Sequence, residues 1–474
     1  MVSRSANSAT NASRARLVVF GLALAARVLT FLIAAPWDPA VEHELVLHND
    51  GMTYNQLAVS LIDDRRFATG PEDPPDPWHS PLYPVFVAGV YLVCGYRPWT
   101  VLLVQALLDS LTAVIVYSTV RRFVKAPRAA LFAGVCYAFD PIAILHSMQM
   151  LTDILYVAVM VGGGYLFASA LDGTNERGTH ARFAAAGVVL GAAALVRPVG
   201  LYLPVAMIPL MLWLHRRTLR SALAPAALFL LCFYSTTATW QLRNWSLYRA
   251  YSLAAMGAWD TITIYTDPVY TAIHNVTDRE AQMSLAAEAD REMSRDGIDP
   301  AHAHAFAKAP YWERVALRLA LDEPFLFAKF YLRGTVYFFA NMSSGRWANL
   351  IMHRQRSHAP PPDGVVDRTP HNGMWQSPWV KTRIELLVAA GIGTWFLLTY
   401  SFALYGLWRS LRSGLTPFLA MCATIVLYYV LISGTGGMSR FKLPSIPFYS
   451  AFAGVGAASA AIRWSSRPDD RERL

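Results

Sequence analysis

The sequence predicts an all-α polytopic membrane protein with about ten transmembrane helices, interfacial helices and two large extracytoplasmic loops. Three observations predict it. Apolar residues fill 54% of the 474 positions, and Asp, Glu, Lys and Arg together fill only 15%, whereas soluble domains carry about 25% charged residues. Mean hydropathy is +0.31. The apolar residues also gather in blocks of the length that crosses a hydrocarbon core, roughly 20 residues. This composition excludes an ordinary soluble enzyme, a disordered chain and a nucleic-acid binder. The net charge of +9 is spread over connectors between the apolar blocks, as positive-inside topology requires.

The blocks fall near 17–35, 99–120, 129–147, 150–171, 183–197, 199–215, 221–242, 383–408, 415–432 and 442–462. The first follows Arg4, Arg14 and Arg16, runs from Leu17 to Ala35 and is interrupted by Arg27. It is long for a signal-peptide core, so it reads as an uncleaved span with a cytoplasmic N-terminal tail, 1–16. The connectors with Arg121, Arg122, Lys125 and Arg128, with Arg216, Arg217 and Arg220, and with Arg409 and Arg412 belong in the cytoplasm, as does the tail 463–474. The segment 36–81 is acidic and belongs outside. Parity then makes 82–95 an interfacial helix, because a span there would carry the basic connector 121–128 outward. The same reasoning makes 324–340 interfacial.

The organisation that follows is a transmembrane module, 17–242, with a first outer loop, 36–98; an outer cap, 243–382; and C-terminal helices, 383–462. Within the cap, Thr277 to Gly297 is charged and helical in pattern, and His353 to Pro378 is Pro-rich. The cap lacks a like-charge run or a simple repeat, which argues for a folded unit. Cys94, Cys136, Cys232 and Cys422 each sit in an apolar block without metal spacing and read as small buried hydrophobes.

Chemistry-bearing residues cluster at the outer boundary. The first outer loop carries Asn49-Asp50-Gly51-Met52-Thr53-Tyr54. Asp50 suits either a helix N-cap or a catalytic carboxylate that takes a proton from an acceptor hydroxyl. The loop closes on His79-Ser80-Pro81-Leu82-Tyr83-Pro84, where His79 suits a phosphate contact or plain exposure. Asp153 opens a span from its outer end, where the helix dipole favours a carboxylate. Arg197 and Arg243 lie at outer span ends and suit phosphate binding as well as snorkelling or interface anchoring. Arg440 and Lys442 stand in the turn Gly436-Gly437-Met438-Ser439-Arg440-Phe441-Lys442. Two cations on the outer side oppose the charge bias and suit an anion, with the forked Arg donors matching phosphate.

In this order the motifs resemble the GT-C superfamily of membrane glycosyltransferases, in the branch with protein O-mannosyltransferases and the lipid A aminoarabinose transferase. The resemblance is carried by Asp50-Gly51-Met52-Thr53-Tyr54, Ser80-Pro81-Leu82-Tyr83-Pro84, Leu151-Thr152-Asp153, Leu195-Val196-Arg197-Pro198-Val199-Gly200, Trp240-Gln241-Leu242-Arg243-Asn244 and Arg440-Phe441-Lys442-Leu443-Pro444. It implies the GT-C fold and an inverting transfer of a sugar from a polyprenyl-phosphate donor to an acceptor hydroxyl on the outer membrane face. It implies Asp50 in the catalytic role. Three departures are present: Asn49 stands where an acidic pair is common, Asp153 where a glutamate is common, and His79 where aminoarabinose transferases have a lysine.

The expected site is therefore Asp50 as base with Asp153 orienting the acceptor; Arg440, Lys442, Arg197, Arg243 and His79 on the donor phosphate; and Tyr54, Asn49 and Tyr83 near the sugar or acceptor. No cofactor is expected to be required. A divalent metal on His302 and His304, or on His353 and His358, is the less favoured reading, since no dedicated ligand spacing is present. The expected partners are a polyprenyl-phosphate sugar, membrane lipids and an acceptor that is protein, lipid or polysaccharide. The expected location is the plasma (inner) membrane. The alternatives are a transporter or flippase for a lipid-linked glycan, a scaffolding membrane protein and an enzyme that polymerises lipid-linked glycans.

Overall fold

The computed structural model describes residues 2–47, 49–172, 176–214, 219–356 and 383–465. Among them every regular element is helical. His48, His358 and the rest of the Pro-rich tract beyond Arg356 lie outside the described residues.

Among the described residues seven helices are long and apolar enough to span a membrane: Thr10–Ala34, Pro98–Val124, Asp153–Leu171, Gly178–Val196, Ala222–Tyr248, Arg383–Ser413 and Ser439–Ile462. The pair Pro127–Ala138 and Pro141–Ser147, bent by 48°, makes an eighth. The remaining two expected spans correspond to Pro198–Leu214 and Pro417–Ile432, apolar helices that fall short of that length. At 1.5 Å per residue a 16-residue helix reaches roughly 24 Å, less than the roughly 30 Å hydrocarbon core. The expected interfacial stretches form the helices Leu82–Cys94 and Pro324–Ala340.

The bend in the pair has a local cause. Pro141 carries no backbone donor and follows Asp140, whose Oδ1 accepts from the Ile142 and Ala143 amides at 2.9 and 3.1 Å. A capping aspartate and a proline together end one helix and start the next.

Inside the bundle, Arg27 is fully buried. Its guanidinium pairs with Asp109 at 2.6 Å and donates to the Ala138 carbonyl at 2.8 Å. Tyr137 donates to the other Asp109 oxygen. An arginine is tolerated in hydrocarbon only with such partners. Here it ties three helices together.

The stretch 278–295 is helical as expected, with a capping box in which Thr277 and Glu280 satisfy each other's amides. It packs against Ala305–Asp322 through a second hydrophobic cluster that includes Ile262, Leu285, Met293, Phe306 and Trp312. Arg318 pairs with Glu292 across the two helices at 2.5 Å. This cluster is separate from the main transmembrane core.

Helix direction alternates through the bundle. Phe123 stacks on Phe418 at one end, where Arg122 donates to Tyr165. Asp50, Asp153, Arg197 and Arg440 converge at the other.

Candidate active site

Four elements bring charge to one point. Asp50 is the first residue of the helix Asp50–Asp63. The chain turns into it through Asn49, at φ +49°, a conformation that Asn adopts more readily than most residues. Gly51 is required beside it: a Cβ there would come within 2.2 Å of the Val46 carbonyl oxygen. Asp153 opens the spanning helix Asp153–Leu171 and is fully buried. Arg197 precedes the short 3-10 turn Pro198–Tyr202. Arg440 stands in the first helical turn of the last span, Ser439–Ile462. The turn before that span is seated by Gly437, at φ +48°, where a Cβ would meet the Gly334 carbonyl oxygen at 2.3 Å.

The result is a chain of alternating charge. Arg440 Nη1 lies 3.5 Å from Asp50 Oδ2, and its Nη2 lies 3.8 Å from Asp153 Oδ2. Arg197 pairs with the other oxygen of Asp153. Asp153 thus holds both arginines from beneath, while Asp50 and the guanidinium faces border a cavity of about 760 Å³. Tyr54, His79 and Asp260 also line it. The His79 ring is fixed by Asp76, 3.1 Å from its Nδ1, and lies edge-to-face with Tyr54 at 5.2 Å between centroids. Burial, with Asp50 close by, pushes the Tyr54 phenol above its ordinary pKa.

The other expected site residues stand elsewhere. Lys442 is fully buried, its Nζ 3.1 Å from the Tyr400 hydroxyl, 3.3 Å from the Phe339 carbonyl oxygen and 3.7 Å from the centroid of the Phe396 ring. Two residues along a helix from Arg440, it points to a different face, as 100° per residue dictates. Arg243 lies over the Trp240 ring at 4.5 Å and donates to the Asp76 carbonyl, bracing the stretch that leads into the helix Leu82–Cys94. Tyr83 is buried behind Tyr54 and donates to Gln105 at 2.8 Å. Asn49 shapes the turn and does not line the cavity.

Three residues escaped the sequence reading. Asp260 ends the short helix Met256–Asp260 of the cap and lines the cavity. Burial lifts its carboxyl to about 6, against the pull of Arg440 and Arg197 and with a push from Asp50. Arg346 lies within electrostatic reach of Arg440, Asp153 and Asp50. His146 is fully buried near Asp153, with both ring nitrogens unpartnered. None belongs to a spaced motif. For His146 the local sequence signal is the Asp140-Pro141 break that opens its helix.

Among the described residues no three His, Cys, Asp or Glu side chains converge as a metal-binding group. His302 pairs with Asp299 at 2.6 Å, and His304 caps a helix by accepting from the Ala307 amide.

Residues 78–240 match the family of dolichyl-phosphate-mannose-protein mannosyltransferases. The match covers about a third of the chain and is a likeness to that family over this stretch. The matched stretch includes His79, Asp153 and Arg197 and leaves Asp50, Asp260 and Arg440 outside it. No curated protein matches the chain. Similar solved structures include the oligosaccharyltransferase AglB from Archaeoglobus fulgidus in complex with an inhibitory peptide and a dolichol-phosphate. It has 14% identity and a TM-score of 0.49, over 93% of this chain and 50% of that one. The Archaeoglobus fulgidus enzyme in complex with Zn and sulfate gives 14% and 0.48, over 93% and 49%. ArnT from Cupriavidus metallidurans bound to undecaprenyl phosphate gives 13% and 0.39, over 93% and 81%. The chain spans about half the length of the oligosaccharyltransferases it matches. The apolar helices are those of a multi-pass membrane protein.

Proposed function

We propose that the chain is an inverting glycosyltransferase that moves a sugar from a polyprenyl monophosphate to an acceptor hydroxyl at the outer face of the plasma membrane. The observation that carries this reading is the pairing of Asp50 with Arg440 at the edge of one cavity, backed by Asp153 and Arg197.

A lipid-linked donor keeps its chain in hydrocarbon and its phosphate at the interface. Arg440 and Arg197 receive that phosphate, with His79 as a further donor. Asp153 touches no substrate in this scheme; it holds the two guanidinium groups in place. Asp50 takes the proton of the acceptor hydroxyl as the acceptor oxygen bonds to the anomeric carbon. The bond from that carbon to the phosphate oxygen breaks, and the arginines stabilise the charge on the departing polyprenyl phosphate. One displacement inverts the anomeric carbon and needs no covalent enzyme intermediate. Tyr54 packs beside Asp50 and walls the cavity. Lys442 and Arg243 act as structural cations. The basic connectors at the opposite end of the bundle support an outward-facing site.

The steps use side chains alone. Loss of transfer on chelation, restored by one divalent cation, would show that a metal is required. The decisive experiment incubates the purified protein in vesicles with labelled polyprenyl-phosphate sugars and cell-envelope acceptors. Label in a glycosidic product, lost by about 10²–10⁴-fold in Asp50→Asn, is the expected result. Full transfer by Asp50→Asn overturns the base assignment. Movement of a lipid-linked glycan across the vesicle without bond formation overturns the enzyme reading in favour of a transporter.

A further inference from the structure

The cavity is asymmetric in charge. Arg197 and Arg440 stand on the transmembrane side, whereas the cap contributes two carboxylates, Asp260 and Glu313. Asp260 has no hydrogen bond or ion pair to its carboxylate among the described residues, unlike Asp50 and Asp153. Beside it the indoles of Trp78 and Trp259 also line the cavity and are partly exposed. Trp312 is buried behind them, stacked on Trp78 at 5.7 Å and edge-on to Trp259 at 5.1 Å. Three mutually packed indoles leave little rotamer freedom, so the two partly exposed rings are held in place.

A pyranose ring has one apolar C–H face and a rim of hydroxyl donors. An indole surface takes the face, and an unpaired carboxylate, which only accepts, takes the rim. A Ser or Thr side chain offers a single hydroxyl and no C–H face of that size, and an anionic acceptor is repelled by Asp260 and Glu313. We propose that Asp260, with Trp78 and Trp259, forms the acceptor subsite, and that the acceptor is a saccharide. This rests on the glycosyltransferase reading and names its second substrate class. Asp260 binds a hydroxyl beside the reacting one and presents the latter to Asp50.

The ionisation of Asp260 supports the same role. The groups that face it are Arg440, Arg197, Asp50 and Tyr265. With its carboxyl near 6, it is an ionised acceptor at neutral pH and becomes protonated in mild acid. Saccharide binding therefore weakens as pH falls below about 6.

The test uses the full-length protein in lipid nanodiscs. Tryptophan fluorescence is titrated with a panel of methyl hexopyranosides and, separately, with Ser- and Thr-containing peptides. The expected result is saturable quenching by at least one glycoside, weakened tenfold or more in Asp260→Ala and in Trp259→Phe, with thermal unfolding unchanged. In transfer assays Asp260→Ala raises acceptor KM at least tenfold while kcat stays within threefold, whereas Asp50→Asn lowers kcat. In Asp260→Asn the acid limb of acceptor KM flattens. Unchanged acceptor KM in Asp260→Ala, or quenching by peptides and not by glycosides, overturns the saccharide subsite and leaves the glycosyltransferase reading intact. Glycoside binding through Asp260 with no transfer from any polyprenyl-phosphate sugar overturns that reading and leaves the subsite standing.

Discussion

Arg440 lies 3.5 Å from Asp50, across 390 residues of sequence. The same guanidinium reaches Asp153, which in turn holds Arg197. One arginine therefore links the helix Asp50–Asp63 to the start of a spanning helix. Removing its fork breaks two contacts at once. Arg440→Lys is expected to lower transfer by about 10²–10³-fold, the loss typical of one preorganised charge donor. Donor-dependent transfer kinetics in vesicles check it, with a retention time on size exclusion equal to that of the unaltered protein.

Lys442 is the contrasting cation. It lies within electrostatic reach of Asp140, which also accepts from Tyr449 at 3.3 Å. Lys442→Met leaves the Phe339 and Asn341 carbonyls and the Tyr400 hydroxyl without their buried donor. Stability falls by about 1–3 kcal/mol, the cost of buried polar groups left unsatisfied. Specific activity of the folded fraction stays within a few-fold. A thermal unfolding scan beside a transfer assay separates the two effects.

Arg27 and Asp109 form a fully buried pair. Arg27→Leu or Asp109→Leu alone is expected to destabilise by about 3–5 kcal/mol, because each leaves one charge in an apolar bundle. The double variant Arg27→Leu, Asp109→Leu recovers most of that loss. Yield and thermal midpoint of the three variants in one detergent give the measurement.

Gly51 stands directly after Asp50, and a methyl group there meets the Val46 carbonyl oxygen. Gly51→Ala must shift the start of the helix Asp50–Asp63. A displacement of about 1 Å at a reacting group costs on the order of 10² in rate. The expected signature is a fall in kcat with little change in donor KM.

Asp267, in the cap, is buried and accepts from Gln282 at 3.0 Å. Burial lifts its carboxyl to about 7, with a further push from Asp278. A carboxyl raised in the folded state favours the protonated native form. Its ionisation therefore costs stability progressively as pH rises from the unfolded value, about 4, and the loss levels off above about 7. Asp267→Asn should raise the thermal midpoint at pH 8 and change it little at pH 4.

The long spans were legible because a hydrocarbon core demands a continuous apolar run, and such a run is written locally. The capped helix 278–295 was legible for a similar reason, since Thr277 and Glu280 meet within one turn. The two shorter apolar helices, Pro198–Leu214 and Pro417–Ile432, were bounded to within two residues, but they fall short of the spanning length expected of them, because composition marks an apolar run and not the reach of the helix it forms. Asp50, Asp153, Arg197, His79 and Arg440 could be named because acids and cations at span ends are conspicuous against an apolar background.

The sequence by itself determined that this is a helical, membrane-spanning chain and which charged residues lie at the ends of its spans. Only the tertiary structure decided which of them meet. Arg440 and Lys442 are two residues apart yet face different pockets, because helical rotation turns neighbours away from one another. Arg440 and Asp50 touch although the chain between them crosses the bundle repeatedly. Asp260 enters the cavity through the packing of the cap. Span length follows from local chemistry, whereas a shared cavity depends on long-range packing, which no short stretch of sequence encodes.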